Sequence, residues 1–275
     1  MKDSITAAEF AGVVEQFAPL AAAYDWDNSG YNVCCHDRIQ KVLVALDLTM
    51  PVLAEAKAGG YDTILTHHPV LFHAAKQLWQ ARPVDSLVMQ AIRQGCNIYC
   101  AHTSFDCAPQ GMNWVLAQKF ELRAVRPLQV EARGTDGVPT AVLGSVGELA
   151  EPMPAMDFAA LVTELEQRTL DAQDVRYTPG KGSVSRVALL GGAGGEAIYP
   201  AAEVGADALI TGEVKHNLFR EAAQLGIAVC EAGHYGTEKV FRTHLHMCLQ
   251  KEFFALQYNI KVEESEIEAA PYRAV

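Results

Sequence analysis

The sequence predicts an α/β protein made of two related three-layer α/β lobes with mostly parallel sheets and a short connecting segment. Short apolar, β-branched runs alternate with helix-like stretches of about ten residues, which is the pattern of βαβ units. This pattern occurs twice, in residues 41–106 and in residues 186–238. Two copies of one pattern in a chain of 275 residues indicate an internally duplicated fold.

The elements of each copy follow one another in the order strand, helix, strand, helix, strand. In the first copy they are predicted at 42–46, 50–58, 63–65, 86–94 and 97–100. In the second copy they are predicted at 187–190, 198–204, 208–210, 218–224 and 227–230. Because successive strands are separated by helices, each copy is expected to form parallel strand pairs.

Sequence similarity between the copies fixes their alignment. The segment GYDTILT at 60–66 lies 145 residues before the segment GADALIT at 205–211. Further along, the motif from His102 to Asp106 matches the motif from His234 to Glu238 at an offset of 132. The first copy therefore contains 13 additional residues, which are expected near 77–83.

Turn-forming residues and composition divide the chain into three segments. The first lobe is expected at 1–128, a connecting segment rich in Gly and Pro at 129–185, and the second lobe at 186–275. After residue 236 the pattern predicts a helix to about residue 251 and then a strand at 253–260. The acidic segment 263–268 is expected to be solvated and loosely ordered.

Charge and hydrophobicity exclude several classes of protein. The chain has 22 Lys and Arg against 33 Asp and Glu, and it lacks a dense basic cluster, so nonspecific nucleic-acid binding is not expected. No uncharged apolar run is long enough for a membrane helix, and no secretory apolar region opens the chain, so no membrane association is expected. Seven cysteines without a CxxC pair favour reduced thiols and a cytoplasmic location.

Two adjacent histidines follow a predicted strand. His67 and His68 come directly after the strand at 63–65, and Pro69 prevents that strand from continuing. Ligands usually bind at the carboxyl ends of the strands in open α/β sheets. Adjacent imidazoles at such an end can serve two neighbouring metal ions, whereas a structural role would need only a hydrogen bond for each ring. The residues leave both interpretations open.

Two further motifs combine a histidine with a carboxylate four residues later. His102–Asp106 and His234–Glu238 each follow a strand, although one such motif alone is more typical of a solvated helix pair. Their occurrence at equivalent ends of both copies favours a metal site, and nitrogen and oxygen donors without cysteine suit Zn, Fe, Mn, Co or Ni. Two ions about 3.5–4 Å apart need a bridging carboxylate, which Asp106 or Glu238 can supply.

Six sequence blocks, in this order along the chain, resemble those of one family. They are DWDNSG at 25–30, LD at 46–47, THHP at 66–69, AHT at 101–103, ITGEVKH at 210–216 and AGHYGTE at 232–238. These blocks are similar to the motifs of the GTP cyclohydrolase I type 2 family, also called the Nif-three-like dinuclear metal-centre family. The resemblance extends over nearly the whole chain.

The resemblance implies two related α/β lobes, a toroidal homohexamer arranged as a trimer of dimers, and two divalent metal ions per chain. The metal ligands that it implies are His67, His68, Asp106, His234 and Glu238. It places His102 and His216 in the lining of the site, as candidate catalytic residues.

The predicted function is metal-dependent hydrolysis of a small nucleotide-like substrate. Metal-activated water would attack an electrophilic carbon or phosphorus, and His102 or His216 would donate or accept the proton. The family name implies that the substrate is GTP and that its imidazole ring is opened. Two alternatives use the same residues: a two-metal phosphoesterase, and a non-catalytic metal-binding hexamer with a regulatory or scaffold role.

A glycine run at 191–195 follows one predicted strand of the second copy. Its backbone N–H groups can bind a phosphate, as they do in other strand-to-helix turns. The run lacks the lysine and the hydroxyl residue of a P-loop, however. A tight turn that lets the following helix pack close to its strand is therefore the preferred interpretation.

Overall fold

The structure is a computed structural model that describes residues 1–170 and 175–271. This part of the chain forms one sheet of five strands and one of six, accompanied by helices. It divides into two compact units. The first comprises Met1–Phe105 and Phe241–Ala269, and the second comprises Asp106–Val240 and the described residues after Ala269. The predicted α/β class is confirmed.

The elements are numbered along the chain. The described strands are β1 (Gly30–Val33), β2 (Lys41–Ala45), β3 (Thr63–Thr66), β4 (Asn97–Cys100), β5 (Arg123–Arg133), β6 (Pro139–Pro154), β7 (Arg176–Pro179), β8 (Ser183–Leu190), β9 (Ala208–Thr211), β10 (Ala228–Glu231) and β11 (Lys261–Glu264). The described helices are α1 (Ala7–Val14), α2 (Met50–Gly59), α3 (Pro83–Gln94), α4 (Thr103–Asp106), α5 (Met112–Lys119), α6 (Ala155–Leu170), α7 (Ile198–Glu203), α8 (His216–Leu225), α9 (His234–Glu238) and α10 (Val240–Ala255). Short 3₁₀ turns lie at Leu20–Ala22 and Gly195–Ala197.

The first unit contains the five-stranded sheet, in the order β1-β4-β3-β2-β11. Strands β4, β3, β2 and β11 are parallel, and β1 is antiparallel to β4. Helix α2 begins after Thr49, whose hydroxyl accepts a hydrogen bond from the N–H of Val52, and it ends at Gly60 in the left-handed conformation. The helices α2 and α3 and the sheet share one buried apolar core, which includes Leu43, Ile64, Ile98, Leu53 and Val88.

The second unit contains the six-stranded sheet, in the order β5-β6-β8-β9-β10-β7. Its centre, β8-β9-β10, is parallel, and the three outer strands pair in antiparallel fashion. The apolar core of this unit includes Val146, Ala188, Leu209, Ile198 and Leu218. Three parallel strands thus correspond in the two units: β2, β3 and β4 in the first, and β8, β9 and β10 in the second. Different additional strands are attached to them.

Equivalent hydrogen bonds show that the two units contain copies of one βαβ pattern. Asp62 accepts hydrogen bonds through Oδ2 from the N–H groups of residues 40 and 41, at 2.8 and 3.1 Å. Asp207 lies 145 residues later and accepts in the same way from the N–H groups of residues 185 and 186, at 3.0 and 2.9 Å. Each carboxylate therefore holds the backbone of its parallel strand, β2 or β8, at an equivalent position.

The alignment changes by one residue before the histidine motifs. Cys100 and Glu231 occupy equivalent positions in the strand registers and lie 131 residues apart, whereas His102 and His234 lie 132 apart. The second copy therefore has one additional residue at Gly233, which has a φ of +84°. Up to β4 the first copy has 14 additional residues, one more than predicted. The prediction counted 13 because it compared the histidine motifs, which come after the extra Gly233 of the second copy.

Strands of the predicted connecting segment lie within the second sheet. Strand β5 extends across residue 128, and β6 pairs with β8. The division of the chain at residues 128 and 185 stays a prediction. Among the described residues, no helix has both the length and the apolarity that crossing a bilayer requires.

The acidic segment near the C-terminus was predicted wrongly. Helix α10 continues to Ala255, and the strand follows at Lys261–Glu264 instead of 253–260. The side chain of Glu268 is only 3 % exposed, pairs with Arg242 at 3.2 Å and accepts hydrogen bonds from the N–H groups of Leu46 and Asp47 at 2.8 and 2.6 Å. The segment is ordered because β11 pairs with β2 and because Glu268 accepts hydrogen bonds from the N–H groups that follow β2.

Replacing Glu268 with alanine should destabilise the protein by about 1–3 kcal/mol, because the N–H groups of Leu46 and Asp47 lose their acceptor and Arg242 loses its partner. Urea-induced unfolding followed by circular dichroism measures this change. Glu266→Ala is the matched control, since Glu266 is exposed, and it should unfold at the wild-type midpoint. Equal midpoints for Glu268→Ala and the wild type would show that the buried carboxylate does not support the fold.

Candidate metal centre

Three histidines of the first unit lie together after two adjacent parallel strands. His67 and His68 follow β3, and both of their N–H groups donate to the carbonyl oxygen of Leu46, at 3.1 and 3.0 Å. His102 follows β4, one residue after Ala101, whose N–H continues the ladder to Thr66 at 2.9 Å. Each imidazole offers one nitrogen, and the three nitrogens lie within 4.8 Å of one another. This group could hold a metal ion.

A hydrogen bond to Nδ1 orients each of the three imidazoles. Nδ1 of His67 lies 3.0 Å from the carbonyl oxygen of Ala101, Nδ1 of His68 lies 2.8 Å from Oδ1 of Asp47, and Nδ1 of His102 lies 2.7 Å from Oδ1 of Asp27. A carbonyl oxygen only accepts, so Nδ1 of His67 carries the proton and Nε2 carries the lone pair. Carboxylate partners favour the same arrangement in the other two rings. This is how ligand histidines are oriented in metal sites.

Asp27 is held by several donors besides His102. Its Oδ2 accepts from the hydroxyls of Ser29 and Thr103, both at 2.6 Å, and from the N–H of Thr103 at 3.1 Å. The Asp27 side chain is fully buried. Burial alone raises the pKa of Asp27, but the hydrogen bonds from His102, Ser29 and Thr103 outweigh burial and hold this pKa well below its usual range. Asp27 is therefore a fixed anion that orients His102.

Asp47 is positioned by the buried carboxylate of Glu268. The N–H of Asp47 donates to Glu268, so the backbone that presents the Asp47 side chain to His68 is fixed. Burial raises the pKa of Glu268, although the N–H groups of Leu46 and Asp47 and the charge of Arg242 act in the opposite direction. A contact 221 residues away in sequence thus supports the orientation of His68.

The second unit presents one imidazole and a neighbouring carboxylate on α9. Nδ1 of His234 lies 3.0 Å from Oε1 of Glu213, and Nε2 of His234 lies 3.0 Å from Oε2 of Glu238. The ring is again held at Nδ1 by a carboxylate while Nε2 faces a further donor. The Glu238 side chain is buried, and that of His234 is partly exposed. This pair supplies one nitrogen and one oxygen donor.

The glycine run at 191–195 packs against this donor pair. Gly192 has a φ of +63°, and a Cβ at that position would overlap the carboxylate of Glu238. The N–H of Gly191 donates to Oδ1 of Asn113, and the N–H of Gly192 donates to the hydroxyl of Thr237. These N–H groups are used within the protein and are not directed at a phosphate. This agrees with a tight turn in the run, and Gly192 lets that turn approach α9.

A cavity of about 690 Å³ lies beside Glu213 in the second unit. Lys215, Tyr199 and Leu190 contribute to its lining. Arg176 also lines it, and its guanidinium donates to both carboxylate oxygens of Glu231 at 2.6 Å. The volume is that of an ordinary small-molecule site.

Two predicted site residues lie outside both the histidine group of the first unit and the donor pair on α9. Asp106 is the last residue of α4 and half-buried, and its carbonyl oxygen accepts from Nδ2 of Asn113 at 3.2 Å. His216 is the first residue of α8 and is exposed. Among the described residues, neither belongs to a group of three donors close enough to share an ion. Their roles stay predictions.

Sequence reasoning assigned no role to the carboxylates that orient the histidines. These are Asp27, Asp47 and Glu213. Each of them lies inside one of the sequence blocks that carry the family resemblance. The signal was therefore present as the position of an acidic residue within a block, but nothing in the sequence says which histidine each one contacts.

Comparison with known proteins agrees with the motif blocks. The profile of the family Duf34/NIF3 (NGG1p interacting factor 3) matches residues 5–271. Two relatives are named GTP cyclohydrolase 1 type 2 homolog. One, from Clostridium acetobutylicum, is 26% identical over 272 residues, which cover 98% of this chain and 99% of that protein. Another, from Nostoc sp., is 35% identical over 202 residues, which cover 72% of this chain and 73% of that protein. The crystal structure of a Bacillus cereus protein related to NIF3 covers 100% of both chains with a TM-score of 0.90 and 21% identity, which supports the fold alone. The resemblance inferred from the sequence is confirmed.

Replacing Asp27 with asparagine should lower the free energy of unfolding at pH 7 by about 1–3 kcal/mol. The pKa of Asp27 is lowered in the fold, so the ionised carboxylate stabilises the fold above its unfolded-state pKa of about 3.9. That stabilisation is lost as the pH falls through the lower pKa of the folded state.

Chemical unfolding of EDTA-treated protein at several pH values measures this difference. The gap between the wild type and Asp27→Asn should be largest near neutral pH and should shrink below about pH 4. Asp25→Asn is the control, because Asp25 is exposed. A gap that does not change with pH would contradict the assignment of Asp27 as a buried anion.

Proposed function

The chain belongs to the Duf34/NIF3 family, and on that premise we propose that it binds two divalent metal ions and hydrolyses a small nucleotide-like substrate. The observation that supports this most strongly is the group of His67, His68 and His102. Three imidazole nitrogens lie within 4.8 Å of one another there, and a hydrogen bond at Nδ1 orients every ring. Structural histidines need no such convergence.

The donor chemistry fits divalent transition metals. Imidazole nitrogens and carboxylate oxygens suit Zn, Fe, Mn, Co and Ni, whereas Mg and Ca prefer sites made only of oxygen. None of the described cysteines belongs to a group of three donors close enough to share an ion, so a thiolate zinc site is not part of the proposal. The residues thus narrow the class of metal and leave the choice within it open.

The proposed metal ligands are those that the family resemblance implies, with one addition. They are His67, His68, Asp106, His234 and Glu238, and to them we add His102. We add His102 because one of its ring nitrogens lies within 4.8 Å of nitrogens of His67 and His68, and Asp27 fixes the orientation of its ring at Nδ1. A ring used in this way is poorly placed for proton transfer, which leaves His216 as the remaining candidate proton donor or acceptor.

When bound, such ions would supply Lewis-acid activation of water and of an electrophilic substrate atom. The residues of the chain contribute orientation and charge. Asp27, Asp47 and Glu213 keep Nδ1 protonated on their histidines, so that Nε2 presents a lone pair in each ring. Glu238 contributes a buried carboxylate that offsets part of the positive charge of the ions.

GTP is the first substrate to test, because the relatives carry the name GTP cyclohydrolase 1 type 2 homolog. Ring opening of GTP releases formate, whereas a phosphoesterase releases phosphate. The experiment incubates protein loaded with each of the five metals with GTP and measures both products. Formate release that requires metal supports the cyclohydrolase, and phosphate release without formate supports the phosphoesterase.

Absence of both products with every metal would overturn the hydrolase proposal. It would favour a non-catalytic metal-binding assembly, in which the ions only stabilise the structure. The homohexamer is also part of the proposal, on the basis of family resemblance. Analytical ultracentrifugation of the untagged protein tests it: a mass six times that of the chain is expected, and a monomer would contradict it.

Replacing His67 or Glu238 with alanine should reduce the metal content measured by inductively coupled plasma mass spectrometry. About two ions per chain are expected in the wild type and at least one fewer in each variant. His246→Ala is the matched control, because His246 also pairs with a carboxylate, Glu264, yet belongs to no three-donor group of the described residues. Wild-type stoichiometry in His67→Ala and Glu238→Ala would refute the ligand assignment.

Replacing Asp47 with alanine should weaken metal binding about 10–100-fold without removing a ligand, because the His68 ring loses the partner that orients it. Competition with a chromogenic chelator measures the affinity, and circular dichroism confirms that the variant folds. Asp47→Asn is the informative companion, since its carbonyl oxygen can still accept from Nδ1 and should restore part of the affinity. Wild-type affinity in Asp47→Ala would mean that the hydrogen bond to His68 does not tune the site.

A further inference from the structure

Two large aromatic side chains of the first unit are exposed beside the histidine group. Trp26 is 59 % exposed and Phe72 is 46 % exposed. Their ring centroids are 5.8 Å apart. Tyr24 stacks on Trp26, with centroids 5.6 Å apart and an angle of 17° between the planes, so it supports one side of the indole. The planes of Trp26 and Phe72 are inclined at 47° to each other. We call these three neighbouring rings the aromatic platform.

The aromatic platform adjoins His102. The centroids of Trp26 and Phe72 are each 6.1 Å from the His102 ring, and both rings meet it edge-on, at 71° and 67°. His102 is in turn 5.3 and 5.7 Å from the rings of His67 and His68. A flat molecule stacked on Trp26 or Phe72 would therefore lie next to His102 and close to the histidine group.

The backbone that carries the platform is fixed by side-chain hydrogen bonds. Nδ2 of Asn28 donates to the carbonyl oxygen of Leu71 at 2.6 Å, and the N–H of Leu71 donates to Oδ1 of Asn32 at 3.1 Å. The residue before Phe72 is thus held on both sides. Trp26 directly precedes Asp27, whose carboxylate accepts from Ser29 and Thr103. The two exposed rings are consequently presented by ordered backbone.

Such an arrangement suits a planar ring better than a flexible ligand. Exposed aromatic faces bind flat heteroaromatic rings by stacking, and every nucleobase has a π face that can stack in this way. Fixed presentation lowers the entropic cost of binding.

We propose that Trp26 and Phe72 bind the heteroaromatic ring of the substrate by stacking, with its edge directed at the histidine group. This proposal rests on the proposed function and names the part of the substrate that the first unit recognises. It makes Trp26 and Phe72 determinants of specificity for ring-containing molecules over molecules that carry only sugar and phosphate.

The test compares two nucleotides with one matched ligand that lacks a base, by equilibrium dialysis with the full-length protein. GMP and AMP carry a base, and ribose 5-phosphate is the matched ligand without one. The wild type should bind GMP or AMP more tightly than ribose 5-phosphate. Trp26→Leu should weaken binding of the nucleotide about tenfold and leave binding of ribose 5-phosphate unchanged.

Trp79→Leu is the control variant, because Trp79 is equally exposed, at 57 %, and contacts Arg82 instead of the platform. It should bind all ligands as the wild type does. Phe72→Leu provides a second variant in case Trp26→Leu fails to fold, and it too should weaken nucleotide binding.

Three results would overturn the proposal. One is wild-type binding of GMP and AMP no tighter than that of ribose 5-phosphate. Another is unchanged nucleotide affinity in both Trp26→Leu and Phe72→Leu. The third is a lower oligomer mass in these variants without any loss of nucleotide affinity, which would make the platform a contact between copies of the chain. Metal content and product release are measured separately, so failure of stacking is distinguishable from failure of the proposed function.

Discussion

The hydrogen bond to Nδ1 of each site histidine is the interaction on which the candidate centre depends. Neutral imidazole has one proton for two nitrogens, so fixing the proton on Nδ1 determines that Nε2 carries the lone pair. His67 obtains this bond from a carbonyl oxygen, and His68, His102 and His234 obtain it from carboxylates. Without these partners the rings could rotate or change tautomer, and the nitrogens of His67, His68 and His102 would no longer converge.

Duplication explains where the donors lie, and divergence explains what they are. In both units three parallel strands end at one edge, and the chain turns there into a short helix or loop that carries histidine. The first unit uses three imidazoles, whereas the second uses His234 together with Glu238. Gly192 lets the turn after β8 approach α9, which a larger residue at this position would prevent. The same scaffold thus supports two sets of donors.

The fold and the positions of the histidines at strand ends were largely predictable, because they depend on local patterns. The set of metal ligands was implied by the family resemblance and stays a prediction. Alternation of strands and helices and the 145-residue repeat located β3, β9 and the histidines that follow them. The partners of the histidines were not predictable, since Asp27 and His102 are 75 residues apart and Glu268 reaches Asp47 across 221 residues. The acidic composition of segment 263–268 wrongly suggested that Glu268 is solvated. Whether a carboxylate is buried depends on the residues around it, which the local composition does not show.

The most direct measurement is the tautomeric state of the site histidines, obtained from ¹⁵N chemical shifts of the EDTA-treated protein at pH 8. His67, His68 and His102 should all be protonated at Nδ1 and unprotonated at Nε2. Addition of Zn²⁺ should then shift the Nε2 signals and leave the Nδ1 protons in place. Protonation at Nε2 in these rings, or Nε2 signals that do not respond to Zn²⁺, would contradict the proposed orientation of the histidines.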